Sequence, residues 1–285
     1  MKKILVTGAT GFIGNYVVSE LLSKGFDVVA TSRDKEKAHK KEWYSSVRYI
    51  PLDLHNTDPL VNYFDFFTEP DLLVDLAWEG LPNYTSLFHF ENNLPSHYQF
   101  IKNMVERGLK DVAVTGTCFE YGMKSGSLRE DIYPEPANPY ALAKDTLRKF
   151  LECMQTVTPF SLKWIRLFYM YGQGQSEKSL FSQLEKALEN GEKSFNMSRG
   201  DQIRDFLPVQ KVAEYIVAIA TQDRVQGVVN CCSNNPDSVK DFIKKYLKDR
   251  NKHIELNLGY YPYTAYEPME FWGDNNKLKT ILKNE

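Results

Sequence analysis

Cysteine is scarce. Cys118, Cys153, Cys231 and Cys232 are the four in 285 residues. They have no CxxC spacing and two of them are adjacent, which suits neither a zinc knuckle nor a disulfide framework. No metal site is expected, and a reducing compartment is. Long apolar runs are missing as well: nothing approaches the roughly 20 consecutive apolar residues that span a bilayer. The stretch Ile4–Thr7 behind Met1, Lys2 and Lys3 is too short for a signal-peptide core. The expectation is a cytoplasmic protein with no membrane partner. Nor is there an excess of one charge, since 35 Lys plus Arg face 37 Asp plus Glu and leave a net −2. Nucleic acid is therefore not an expected partner.

What is present is the composition of a globular chain, 42% hydrophobic and 25% charged. Short apolar runs at Lys3–Thr7, Asp27–Thr31, Arg48–Asp53, Leu72–Ala77, Val112–Thr117 and Leu162–Leu167 predict buried strands. Helix-period segments lie between them. In the first, Phe12, Ile13, Val17, Val18, Leu21 and Leu22 recur at helical spacing and Gly25 follows as a stop. Strand–helix–strand repetition predicts an α/β fold with a Rossmann-type, doubly wound parallel sheet, whose ligand crevice opens at the carboxyl ends of the strands. After about residue 168 the rhythm changes. Residues 1–168 are read as the dinucleotide-binding part, with 206–232, including a helix Val209–Thr221, returning to it. Residues 169–205 and 233–285 are read as a smaller substrate-binding lobe. The charge run from Arg33 to Lys41 reads as solvated surface.

The first strand runs into TGATGFIG, Thr7–Gly14, a GxxGxxG between a strand and a helix. Glycines there permit a tight turn and let a pyrophosphate approach backbone N–H groups at the positive end of a helix. Gly8, Thr10, Gly11, Phe12, Ile13 and Gly14 are the expected contacts. A carboxylate about 20 residues further on would hold a free ribose 2′-hydroxyl. None ends the second strand, which instead runs into Thr31, Ser32 and Arg33. The Ser32 hydroxyl and the Arg33 guanidinium suit a 2′-phosphate, so NADP is expected ahead of NAD. The alternative is a solvent-facing Arg33 with Asp34 on the ribose of NAD. Asp53, followed by Leu54, is placed for the adenine edge or for capping a turn.

Further along, Asn138 and Pro139 read as the N-cap and first residue of a helix carrying Tyr140 and Lys144 four apart, on one face. An ammonium so placed is expected to lower the phenol's pKa, letting it exchange a proton with a substrate oxygen. Thr117, ending the fifth strand, offers a hydroxyl to the same oxygen.

With these motifs the sequence resembles the extended short-chain dehydrogenase/reductase family of nucleotide-sugar epimerases, dehydratases and ketoreductases. The likeness covers nearly the whole chain: TGATGFIG, LAW at Leu76–Trp78, TGTCFEYG at Thr115–Gly122, YALAK at Tyr140–Lys144, RLFYMYGQGQ at Arg166–Gln175 and RDFLPVQKVAE at Arg204–Glu214. The resemblance implies that Thr117, Tyr140 and Lys144 are the catalytic trio and that Lys144 also holds the nicotinamide ribose. It further implies that Leu76, Ala77 and Trp78 lie along the cofactor, and that Arg204 grips the substrate pyrophosphate; the alternative for Arg204 is an ion pair with Asp201 or Asp205. Cys118 and Phe119 replace the Asp-Glu pair of the 4,6-dehydratases, which disfavours water elimination. Glu120 is read as a substrate contact or a structural group. Tyr169 stands where the family has Asn, and Lys211 where it has Asp, altering the substrate side.

What the resemblance implies is a reductase of a nucleotide-linked 4-keto-6-deoxyhexose, of the 6-deoxy-L-talose, D-fucose or abequose type, with dTDP-6-deoxy-L-talose favoured. The sugar would sit against the loop Trp78, Glu79, Gly80, Leu81, Pro82, Asn83 and Tyr84, where each aromatic is equally readable as core. A 4-epimerase with retained NAD and a non-catalytic NADP-binding sensor are the rivals. The family likeness also implies a homodimer paired through helices near Glu91–Arg107 and Pro139–Thr156.

Overall fold

The structure, a computed structural model, describes residues 1–264 and 266–283. Seven parallel strands form one sheet in the order Gly227–Cys231, Ser161–Leu167, Asp111–Thr117, Leu72–Asp75, Lys3–Thr7, Asp27–Ala30, Arg48–Tyr49. The chain enters at the strand Lys3–Thr7 and builds towards one edge. It then crosses to Leu72–Asp75 and builds towards the other. Between those two strands the direction of winding reverses, and there a crevice opens.

Alternation along each strand sends successive side chains to opposite faces. Ile4, Val6, Val28 and Val74 pack under helices Phe12–Ser23 and Val209–Thr221. Leu5, Val29, Leu73, Val112 and Val114 pack under helices Leu94–Glu106 and Pro139–Gln155. The inner strands are therefore buried on both sides, which is why they read as continuous apolar runs. A third cluster, Phe181, Leu184, Phe195, Met197, Ile243, Tyr246 and Leu247, is built from helices Leu180–Glu189 and Val239–Asp249 with the parallel pair Ser194–Asn196 and Glu255–Asn257. The last helix, Asn276–Leu282, was grouped with the lobe by sequence. Its Leu278 and Ile281 pack into the sheet's own core.

Two strand ends differ most from the sequence expectation. The run Arg48–Asp53 is a regular strand only over Arg48–Tyr49, although the Ile50 and Leu52 N–H groups still donate to the carbonyls of Ala30 and Ser32, at 3.0 and 3.3 Å. Leu72–Ala77 stops at Asp75 because Thr7 Oγ1 takes the N–H groups of Leu76 and Ala77, at 3.1 and 3.2 Å. The same hydroxyl donates to Asp75 Oδ1 at 2.5 Å, and Asp75 Oδ2 meets His97 Nδ1 at 2.7 Å. Within the run Arg33–Lys41, Asp34 caps a short helix, Lys35–His39, by accepting from the Lys37 N–H.

Candidate active site

A cleft of about 1200 Å³ runs across the carboxyl ends of the strands. It begins at the glycine turn, passes Trp78, Thr117 and Tyr140, and ends in the lobe at Phe181, Met197 and Arg204. That volume exceeds the space a single small ligand ordinarily needs.

At its first end, helix Phe12–Ser23 presents an N-terminus with no side-chain cap and no acidic residue in its first turn. Its N–H groups lack intrahelical partners and are free for an anion. Two glycines make the approach possible. Gly8 has φ +63°, and a Cβ on it would lie 2.8 Å from the Ala77 backbone. A Cβ on Gly14 would stand 2.2 Å from the Gly8 carbonyl oxygen. The Thr31 hydroxyl, buried on the same wall, has no hydrogen-bond partner within the protein. The residues present thus fit a dinucleotide. Gly14→Ala is expected to push the Gly8 turn open and weaken dinucleotide binding by about tenfold or more, since ~1.4 kcal/mol of lost contact suffices for that. Calorimetric titration with NAD checks it, and unchanged affinity would count against this placement.

The adenosine end departs from expectation. The Ser32 hydroxyl is paired with Tyr49 Oη at 2.9 Å. Arg33 is held in a fork by Glu79, with Nη1–Oε2 at 2.6 Å and Nη2–Oε1 at 2.9 Å. Neither group offered to a 2′-phosphate is free. Asp53 is a cap: its Oδ1 accepts from the His55 N–H at 3.1 Å and its Oδ2 from Asn56 Nδ2 at 2.8 Å, although it also borders the cleft with Leu54. Leu76, Ala77 and Trp78 line the middle of the cleft.

Midway stands the wall the motifs anticipated. Asn138 Oδ1 caps its helix by accepting from the Ala141 N–H at 2.9 Å, which places Tyr140 in the first turn. The Tyr140 ring lies among Tyr84, His89 and Trp78, at centroid distances of 5.5, 5.3 and 6.2 Å. Thr117 lines the same stretch of the cleft wall. Lys144 sits behind, donating to the Thr115 carbonyl at 2.8 Å, with Nζ 3.9 Å from the Trp78 ring centre. One expectation is corrected here. Burial raises the Tyr140 phenol above its ordinary pKa, Tyr84 adds to the rise, and Thr117 opposes it. The lysine bears the downward shift instead: burial lowers Lys144 to about 8, against the pull of Asp75 and Glu120. At neutral pH the phenol is a proton donor beside a buried ammonium.

On the substrate side Cys118, Phe119 and Tyr169 line the cleft. Tyr169 Oη donates to Glu267 at 2.6 Å, and burial beside that carboxylate drives its pKa well up. Arg204 is buried, with Nη1 donating to the carbonyls of Ile203 and Met269 and Nη2 to Pro268 O and Glu267 Oε2. Asp201 pairs instead with Lys240 and Arg199, and Asp205 accepts from Ser233 and Asn234. Two expected contacts lie elsewhere. Asn83 is exposed, its amide oxygen taken by Thr85, while its neighbours Leu81, Pro82 and Tyr84 face the cleft. Glu120 is wholly buried behind the wall, bonded to the Thr117 N–H, Trp164 and Arg166. Sequence reasoning missed the roles of Glu79 and Glu267, for which no local spacing gives a signal. No cluster of His, Cys, Asp and Glu able to hold a metal occurs among the described residues.

A family model described as the NAD dependent epimerase/dehydratase family matches residues 4–232. A dTDP-6-deoxy-L-talose 4-dehydrogenase (NAD(+)) of Aggregatibacter actinomycetemcomitans is 31% identical over 275 residues, covering 95% of this chain and 98% of that one. Among solved structures, a UDP-glucuronic acid 4-epimerase from Bacillus cereus in complex with UDP-glucuronic acid and NAD superposes with a TM-score of 0.84 at 25% identity, covering 99% and 93% of the two chains. MoeE5 in complex with UDP-glucuronic acid and NAD gives 0.84 at 25% identity, covering 99% and 92%.

Proposed function

Because the chain belongs to the NAD dependent epimerase/dehydratase family, we propose that it is an NAD-dependent oxidoreductase that reduces the C4 ketone of a nucleotide-linked 4-keto-6-deoxyhexose, of the dTDP-6-deoxy-L-talose type. The observation that carries this reading is the placement of Tyr140 and Thr117 together on the cleft wall, with the Lys144 ammonium behind it over the Trp78 ring. NADH, held at the glycine turn Gly8–Gly14 and the N-terminus of helix Phe12–Ser23, would supply the hydride. Tyr140 gives its proton to the substrate oxygen, Thr117 hydrogen-bonds that oxygen, and the Lys144 charge stabilises the alkoxide as it forms. Cys118 and Phe119, where a dehydratase needs an acid and a base, disfavour water elimination and leave redox chemistry at the carbinol carbon. Likeness over nearly the full length of both chains to the talose dehydrogenase supports the dTDP-linked sugar.

The dinucleotide we assign is NAD rather than the NADP expected from Arg33, whose guanidinium is engaged by Glu79. A cytoplasmic location is part of the same reading; no helix among the described residues is long and apolar enough to cross a membrane. So is a homodimer through helices Leu94–Glu106 and Pro139–Gln155, the second of which exposes Leu142 and Phe150.

The second reading, a 4-epimerase on retained NAD, is favoured by the solved epimerase neighbour. A panel of dTDP-, CDP-, GDP- and UDP-linked 4-keto-6-deoxy sugars distinguishes the two when NADH absorbance is followed and the product's C4 configuration is read by NMR. The reductase consumes NADH in step with the dTDP sugar. Conversion of a 4-hydroxy sugar into its C4 epimer with no added cofactor would establish the rival. Reduction should also fall as pH rises through about 8, because the Lys144 ammonium present below that value is lost above it. A pH–rate profile flat across that window would remove Lys144 from the chemistry.

A further inference from the structure

The dinucleotide site lacks one part in sequence: no carboxylate ends the strand Asp27–Ala30, where a free adenosine ribose is ordinarily held. The fold brings one from elsewhere. Glu79, just past strand Leu72–Asp75, reaches the end of the second strand and grips Arg33 through two charge-assisted hydrogen bonds of 2.6 and 2.9 Å. Its Oε2 also lies 3.3 Å from His55 Nδ1. The contact is anchored from beneath: the wholly buried Asn93 donates from Nδ2 to the Glu79 carbonyl at 2.9 Å, and its Oδ1 faces His55 Nε2 at 2.9 Å. One amide thus fixes both the loop that carries Glu79 and the imidazole beside it.

We infer that Glu79 selects NAD over NADP, supplying from the fourth-strand loop the carboxylate that the second strand lacks and denying Arg33 to a 2′-phosphate. This rests on the reading of the cleft as a dinucleotide site. Around this corner Asp34, Asp53 and Glu79 carry negative charge, against Arg33, already paired, and Lys37. A ribose 2′-phosphate would bring a charge of about −1.5 to −2 and would have to break the fork to find a partner. A neutral ribose diol meets a carboxylate able to accept from it and displaces nothing.

The test is calorimetric titration of the full chain with NAD⁺ and NADP⁺, for the wild type, Glu79→Gln and the double variant Glu79→Gln with Arg33→Gln. An ion pair this exposed contributes little to folding, so the variants are expected to fold. The wild type should bind NAD⁺ more tightly. Glu79→Gln should move the affinity ratio towards NADP⁺ by about tenfold or more. The double variant should lose that gain, because the released guanidinium is what takes the phosphate. A wild type that prefers NADP⁺, or a Glu79→Gln ratio within about twofold of wild type while NAD⁺ binds normally, overturns the inference alone. Failure of the wild type to bind either dinucleotide overturns the dinucleotide reading with it.

Discussion

Tyr140→Phe lowers kcat for sugar reduction by about a thousandfold while leaving NAD affinity and fold in place, within the range that a positioned general acid contributes. The substitution removes one oxygen. The ring stays packed against Tyr84, His89 and Trp78, whose contacts are made by its carbon atoms. Steady-state kinetics with a dTDP-linked 4-keto sugar, alongside NAD titration, separates chemistry from binding. A variant that retains more than about a tenth of the wild-type rate would show that the proton comes from elsewhere.

Glu120→Ala unfolds the protein at a temperature lower by roughly 10 °C, from a loss of about 3–5 kcal/mol. The residue is fully buried, and both of its oxygens are in use. Oε1 accepts from the Thr117 N–H at 2.8 Å and from Trp164 Nε1 at 3.0 Å, and Oε2 accepts from Arg166 Nε at 2.7 Å. Removing it strands a guanidinium that is itself 1% exposed and lies over the Tyr121 ring, 4.4 Å from its centre. It also frees the strand end that aims Thr117. Glu120→Gln, which keeps the shape without the charge, should fall between the two. Thermal melts of the three proteins check the order. Wild-type stability in Glu120→Ala together with a raised KM would instead return Glu120 to the substrate, as its place in the motif first allowed.

Those two residues mark how far the sequence could be read. The sheet, the glycine turn and the placement of Thr117, Tyr140 and Lys144 near one another were legible because each rests on local order: alternation in a strand, a turn between strand and helix, one helical face. Even there, the direction of the phenol's pKa was not legible, because the burial that raises it comes from packing against distant segments, among them Tyr84, His89 and Trp78. The pairings that decide the two ends of the cleft were not legible at all. Arg33 meets Glu79 across 46 positions and Arg204 meets Glu267 across 63. Each arginine was therefore read as free for phosphate when the fold had already given it a partner. Glu120 was open between two roles for a similar reason, since its partners Trp164 and Arg166 lie on the neighbouring strand.

The central claim is net hydride transfer to C4 of a nucleotide-linked sugar, and its most direct measurement uses NADH deuterated at the transferable position. The enzyme is incubated with a dTDP-linked 4-keto-6-deoxy sugar and the product is analysed by NMR. One deuterium is expected at C4 for each NADH oxidised, in a single C4 configuration, with neither product nor oxidised cofactor from Tyr140→Phe beyond a residual about a thousandfold slower. Product with only protium at C4, or turnover that consumes no NADH, would contradict it.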